Sequence, residues 1–227
     1  AKWRFKADYA EARGSRRELA GDMRGAILDR VVALVLRVLR HGEGHPSVAK
    51  AHHNFAATLA DAHEAFWDAS HHHYAEAYRI RGEQFGADHP QTLESEYGLL
   101  QYECEDLAIL TEDRSMAEQC VGDLQGVLDR YQERATLDPR GVRRQALTLA
   151  NQAIVAGCGP CAEAAIHVAE EALDDLHDVD VRENVDLYMI RGSLALSRKD
   201  FAATHAEFFS AVELMEVDDR GDAIYFD

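Results

Sequence analysis

The chain has 227 residues, of which 47% are hydrophobic, and it carries a formal net charge of −17. A hydrophobic content this ordinary argues for a folded protein and excludes intrinsic disorder as the main state. The acidity disfavours binding to phosphate backbones, and the longest apolar stretch, residues 31–36, is far too short to span a bilayer. We therefore expect a protein that binds neither nucleic acid nor membranes.

The charge is distributed unevenly along the chain. Residues 1–50 carry eleven Lys or Arg against six Asp or Glu, whereas residues 162–227 carry five against seventeen. Opposite charge at the two ends favours a basic partner for the C-terminal half, and it leaves head-to-tail self-association open. An acidic surface that serves only solubility is the alternative.

Helical periodicity begins near the N-terminus and predicts a first pair of helices over residues 5–42, with a turn at Gly21-Asp22. Gly42 should end the second of these helices, and His45-Pro46 should begin the next pair, residues 46–86. This junction recurs 44 residues later, where Gly86 and His89-Pro90 stand in the same order. A period of this length with helical patterning between the turns is typical of stacked helix pairs.

Three further pairs complete the predicted array. They cover residues 90–135, 139–178 and 181–217, followed by a tail at 218–227. We predict one all-α domain over residues 1–227, built as a solenoid of about five antiparallel helix pairs. Such folds present a long surface to partners and usually lack a catalytic pocket.

The fifth pair carries the clearest family resemblance. Its bulky, small and aromatic residues fall at the positions of a tetratricopeptide repeat (TPR), namely Tyr188, Gly192, Phe201, Phe208 and Ala211. The Gly-x-x-His-Pro junctions resemble the kinesin-light-chain subclass of that family. The resemblance implies a right-handed superhelix whose first helices line a concave groove, in which side chains such as Asn bind an extended peptide.

By this resemblance the chain is a non-catalytic scaffold that binds a protein or peptide segment, without a cofactor. The candidate peptide-binding residues all lie on predicted first helices: Asn54, Tyr97, Gln101, Arg144, Asn151, Met189 and Ser193. A second interpretation is a sensor or oligomerisation array that belongs to a larger signalling or regulatory protein.

The motif Cys158-Gly159-Pro160-Cys161 supports a third hypothesis from a different class. It equals the redox-active sequence of the thioredoxin family, and a helix N-terminus lowers the pKa of a thiol. However, the preceding residues read as a helix, without the βαβ pattern of that family. We interpret Cys104 and Cys120 as small apolar helix residues, and four cysteines without framework spacing indicate a reducing, cytoplasmic location.

Histidines are concentrated in the second pair, at positions 52, 53, 63, 71, 72 and 73. His53 with His63 or His71 could approach across the helical hairpin and bind zinc. No HExxH or Cys₂His₂ spacing is present, so a polar or pH-sensitive helix surface is the favoured interpretation, with no metal site.

Overall fold

The computed structural model describes residues 2–111, 114–134, 138–174 and 181–218. Within these ranges the chain forms ten α-helices and one short 3-10 turn at Glu64–Phe66, with no β-strand. The helices are α1 (Lys2–Leu19), α2 (Met23–His41), α3 (Pro46–Ala62), α4 (Trp67–Phe85), α5 (Pro90–Thr111), α6 (Arg114–Arg134), α7 (Pro139–Val155), α8 (Gly159–Asp174), α9 (Val181–Ser197) and α10 (Phe201–Asp218).

Consecutive helices form five pairs, and the predicted all-α repeat fold is confirmed. We call α1, α3, α5, α7 and α9 the first helices of the pairs, and the others the second helices. The chain divides into two compact units, residues 1–103 and 104–227, and α5 begins in one unit and ends in the other.

In the first unit α1 packs on α2, α3 packs on α4, and α2 packs on α3. Its core contains Val48, Ala49 and Ile80 in one cluster, and Ala56, Tyr74 and Tyr102 in another.

In the second unit α7 packs on α8 and α9 packs on α10, while α7 also packs directly on α9. Many core positions here are alanines, such as Ala153, Ala165 and Ala169, all of which are fully buried. Alanine at these positions lets the helix axes approach closely, because no larger side chain separates them.

The two Gly-x-x-His-Pro junctions adopt the same local structure, as their sequence predicts. Gly42 and Gly86 have φ angles of 80° and 90°, values that favour glycine, and each donates its N–H to the last turn of the preceding helix. The imidazole of His45 accepts the N–H of Ser47 at 3.0 Å and thereby caps α3. The His89 ring accepts the N–H of Gln91 at 3.2 Å and does the same for α5.

An aromatic stack reinforces each junction. The rings of His41 and His45 lie 4.3 Å apart, and those of Phe85 and His89, 44 residues later, lie 4.6 Å apart. The side chain that ends one helix therefore packs on the cap of the next helix at both junctions, which sets the path of the chain from one pair to the next.

None of the helices in the described ranges is both long enough and apolar enough to cross a membrane. The predicted tail, residues 218–227, lies outside the described residues except for Asp218, the last residue of α10.

Candidate binding faces of the first helices

The first helices of the N-terminal unit face one another across a polar network. The Asn54 amide on α3 donates a hydrogen bond to Glu11 on α1, and Glu11 also pairs with Arg37 on α2. The Arg37 side chain is 9% exposed and that of Glu11 is 13% exposed. Asn54, one of the predicted peptide-binding residues, is therefore engaged by the protein's own α1.

A second buried cation extends this network. The Arg30 guanidinium, with its side chain 7% exposed, pairs with Glu18 at 2.7 Å and donates to the Ser15 and Thr58 hydroxyls at 3.1 and 3.0 Å. A buried guanidinium needs several acceptors to offset the loss of its hydration. These contacts join α1, α2 and α3 through polar groups, and no sequence motif pointed to them.

Arg37 and Arg81 are equivalent residues of the first two pairs and make equivalent contacts. Arg37 donates to the backbone carbonyl of Ser47 at 3.4 Å, and Arg81 donates to that of Gln91 at 2.6 Å. Both carbonyls belong to the first turn of the next first helix. Arg81 also reaches Ser95 at 2.6 Å, so each arginine ties its pair to the following one.

The two predicted binding residues on α5 differ in exposure. Tyr97 is 4% exposed and belongs to the core, whereas Gln101 is half-buried. A tyrosine buried to this extent cannot contact a docked peptide without movement of its neighbours, so we leave Tyr97 out of the binding face proposed below.

The remaining four predicted residues lie on the first helices of the C-terminal unit. Arg144 and Asn151 are exposed on α7, at positions that share one helical face with the exposed Val155. Met189 is 45% exposed on α9, and the half-buried Ser193 follows it at i+4. Because α7 packs directly on α9, we infer that these two faces lie side by side.

This pair of faces combines apolar and polar groups. Val155, Met189 and Leu196 are 65%, 45% and 48% exposed, which is high for large apolar side chains. The Asn151 amide supplies donors and an acceptor beside them. We call this surface, formed by Arg144, Asn151, Val155, Met189, Ser193 and Leu196, the α7–α9 face.

A separate groove of about 510 Å³ lies on α8, α9 and α10. Its arginines are already paired, because Arg191 contacts Glu170 and Arg198 contacts Glu163 at 2.6 Å. Asp200 and Glu207 also line the groove, so it keeps a surplus of negative charge.

The histidines of the second pair do not converge on one point. The Nδ1 atoms of His52 and His73 lie 2.9 Å apart, while His53 contacts Ser95 at 3.2 Å and His71 lies 3.3 Å from Glu103. His63 instead accepts the N–H of Ala65 at the 3-10 turn. His53, His63 and His71 thus have separate partners, and within the described ranges no group of three or more His, Cys, Asp or Glu could hold a metal ion.

The contact between His52 and His73 is chemically informative. Burial, together with the charges of His52 and His72, lowers the pKa of His73 to about 4, and burial also lowers the pKa of His52. When both rings are neutral, one Nδ1 can donate its proton to the other across this contact. The pair is thus neutral at pH 7 and resists protonation.

The cysteines are paired, which corrects the interpretation of Cys104 and Cys120 as isolated apolar residues. A disulfide joins Cys104 on α5 to Cys120 on α6, with the Cα atoms 5.5 Å apart. The hairpin brings together two residues that sequence spacing did not connect. The pairing also removes the support that unpaired cysteines offered for a cytoplasmic location.

A second disulfide joins Cys158 and Cys161, with Cα atoms 5.3 Å apart, at the start of α8. Gly157, with φ of 74°, makes the turn from α7 into this motif. The motif follows a helix, and no strand occurs among the described residues. Its setting is therefore a turn between two helices and not the strand-to-helix junction of the thioredoxin family.

Comparison with solved structures decides the fold. A kinesin-light-chain-type protein of Podosopora anserina with nearly identical TPR-like repeats superposes with a TM-score of 0.58 at 12% identity, covering 94% of this chain and 97% of that one. This chain has a TPR-like repeat fold. A single-residue variant of the same protein superposes with a TM-score of 0.59 at 13% identity, over 94% and 96% of the two chains.

A second TPR-like neighbour is BtubC (BKLC) from P. vanneervenii, with a TM-score of 0.59, 14% identity and coverage of 100% of this chain and 99% of that one. No family model and no curated protein matches the sequence. The TPR-like fold expected from the fifth pair and from the Gly-x-x-His-Pro junctions is confirmed. At identities this low the likeness concerns the fold alone.

Proposed function

We propose that this protein is a non-catalytic scaffold that binds an extended segment of a partner protein along the α7–α9 face. The observation that carries the proposal is the exposure of Asn151 and Val155 on α7 and of Met189 and Leu196 on α9, two first helices that pack directly on each other. An amide at this position can exchange two hydrogen bonds with a peptide backbone. The apolar side chains around it can receive alternate side chains of the same peptide.

The contrast between Asn54 and Asn151 supports the choice of the C-terminal unit. Both are predicted peptide-binding residues, but the Asn54 amide is already bonded to Glu11. A peptide at Asn54 would have to displace the largely buried Glu11, which also pairs with Arg37, and disturbing such a pair is costly. Exposed Asn151 requires no such rearrangement.

The partner segment should be basic. Although Arg144 is the one charged residue of the α7–α9 face itself, residues 162–227, which include most of α8 and all of α9 and α10, carry seventeen Asp or Glu against five Lys or Arg. This surplus attracts positively charged segments and raises their association rate. Nucleic acid is disfavoured for the same reason, and a cytoplasmic location remains a prediction.

The test is selection of binders from a random peptide library on the full chain, followed by affinity measurement by fluorescence anisotropy. Asn151→Ala should weaken the selected peptides about tenfold, the equivalent of one or two lost hydrogen bonds. The matched control is Gln119→Ala, which removes an exposed amide from α6, a second helix.

Equal affinity of the selected peptides for the wild type and Asn151→Ala would contradict the proposed face, as would equal losses in Asn151→Ala and Gln119→Ala. Selection of acidic peptides in place of basic ones would contradict the charge argument.

A further inference from the structure

The outer side of α2 exposes a continuous apolar stripe. Its members recur at helical spacing and are 58%, 39%, 44%, 48% and 78% exposed, in the order Leu28, Val31, Val32, Val35 and Leu39. They lie along about 16 Å of helix, given a rise of about 1.5 Å per residue. A contiguous patch of exposed apolar side chains commonly marks a surface that binds a partner.

The repeat itself provides an internal control for this stripe. The residues 44 positions later, on α4, are polar or small: His72, Ala75, Glu76, Arg79 and Glu83. Arg79 there pairs with Glu76 and Glu83 at 2.8 and 2.9 Å, as expected of a solvated helix surface. The fold therefore tolerates charge at these positions, and the apolar residues on α2 need another explanation.

The ends of the stripe indicate what covers it. Arg24 precedes Leu28 by one helical turn, and Glu43 follows Leu39 at the junction. Both side chains are exposed, and neither forms an ion pair within the described residues. If two copies of α2 pair antiparallel about a two-fold axis, Leu28 faces Leu39 of the second copy, and Arg24 faces Glu43 of the second copy.

We propose that the outer face of α2 is a homodimer interface in which two copies of this chain pair antiparallel. A two-fold interface uses the same patch on both copies, so it must be self-complementary. The stripe meets this condition, since its centre is apolar and its two ends carry opposite charges. The two-fold axis brings Arg24 of each copy opposite Glu43 of the other copy.

A groove next to the stripe adds area to this interface. It measures about 390 Å³ between α2 and α4, and it is lined by Val35, Leu39 and Glu43 of the stripe and its end, and by Leu34, Val38, His52, His72, Glu76 and Ile80. A stable dimer buries about 800 Å² on each partner, more than five side chains supply. The groove lies beside Leu39, where it can receive Leu28 of the second copy.

The test is sedimentation equilibrium of the full chain over a wide concentration range. The wild type should form a dimer. Val32→Glu and Leu39→Glu, which introduce the residues that α4 carries at the equivalent positions, should yield monomers with unchanged helix content by circular dichroism. The matched control Glu83→Leu, on α4, should leave the dimer affinity unchanged.

A charge reversal tests the antiparallel geometry. Arg24→Glu should weaken the dimer about tenfold, because it would face Glu43 of the second copy in both symmetric pairs, and the double variant Arg24→Glu with Glu43→Arg should restore it. A wild type that remains monomeric at every concentration would overturn the proposal, and so would a dimer that Val32→Glu leaves intact. A dimer that the double variant fails to restore would overturn the antiparallel pairing. None of these outcomes depends on peptide binding at the α7–α9 face.

Discussion

The close approach of the two helices of the fifth pair depends on Gly192. A Cβ atom added at this position on α9 would lie 2.3, 2.5 and 3.0 Å from three ring carbons of Phe208 on α10. Ordinary contacts between carbon atoms are about 3.5–4.0 Å. Gly192→Ala therefore cannot be accommodated unless the Phe208 ring or one of the two helices moves by about 1 Å.

Two effects of Gly192→Ala oppose each other. Alanine in a helix interior is favoured over glycine by about 1 kcal/mol, while overpacking a well-packed site costs about 1–3 kcal/mol. The control Gly126→Ala lies inside α6, where an added Cβ would meet nothing within 4 Å. It should show only the favourable effect, so the difference between the two variants isolates the packing cost, about 2 kcal/mol.

The assay is urea unfolding followed by far-ultraviolet circular dichroism, together with hydrogen exchange of α9 and α10. Hydrogen exchange is needed because repeat proteins can unfold one repeat at a time. We expect Gly126→Ala to be more stable than the wild type, and Gly192→Ala to be less stable, with faster exchange confined to the fifth pair. If Gly192→Ala stabilises the protein as much as Gly126→Ala does, the assigned approach of Phe208 to α9 is refuted.

Three further predictions concern other parts of the chain. Arg81→Ala removes a buried guanidinium and should destabilise the protein by about 3 kcal/mol in urea unfolding. The control Arg79→Ala breaks only exposed ion pairs on the same helix and should change the stability little. Equal losses of stability in the two variants would contradict the role of Arg81 in tying the second pair to the third. Burial lowers the pKa of His73 to about 4, below its unfolded value of about 6.5, so the unfolded state binds more protons and stability should fall as the pH drops from 7 towards 4. His73→Gln should flatten this slope between pH 7 and 5, and an unchanged slope would show that other groups cause it. The purified protein should lack insulin-reducing activity, because the Cys158–Cys161 turn lies between helices; an activity that Cys158→Ser abolishes would instead support the thiol-redox hypothesis.

The junctions show which features can be predicted from local sequence. Gly42 and Gly86 adopt positive φ, and His45 and His89 cap the helices that follow. Each of these features depends on residues within five positions of one another, so the conformational preferences of glycine, proline and histidine suffice to predict it. The predicted all-α repeat fold was accordingly confirmed.

Candidate binding residues were harder to predict, because a side chain can bind a peptide only if no residue elsewhere in the chain already occupies it. Asn54 and Asn151 have the same character in sequence, yet Glu11, 43 residues before Asn54, occupies the first, whereas the second is exposed. Likewise, Cys104 and Cys120 pair because a hairpin brings their Cα atoms to 5.5 Å. In both cases the partner is chosen by helix packing, which no short motif encodes.

The apolar residues 31–36 show the same difference between what the sequence predicts and what the tertiary structure decides. By its sequence alone, this stretch was known only to be apolar, helical and too short for a membrane. The sequence by itself determined the helix pairs, their period and their caps, because these depend on contacts between near neighbours along the chain. Only the tertiary structure decided which face of α2 remains exposed, which asparagine side chain is exposed and which cysteines pair, because burial depends on residues that are remote in sequence and close in space.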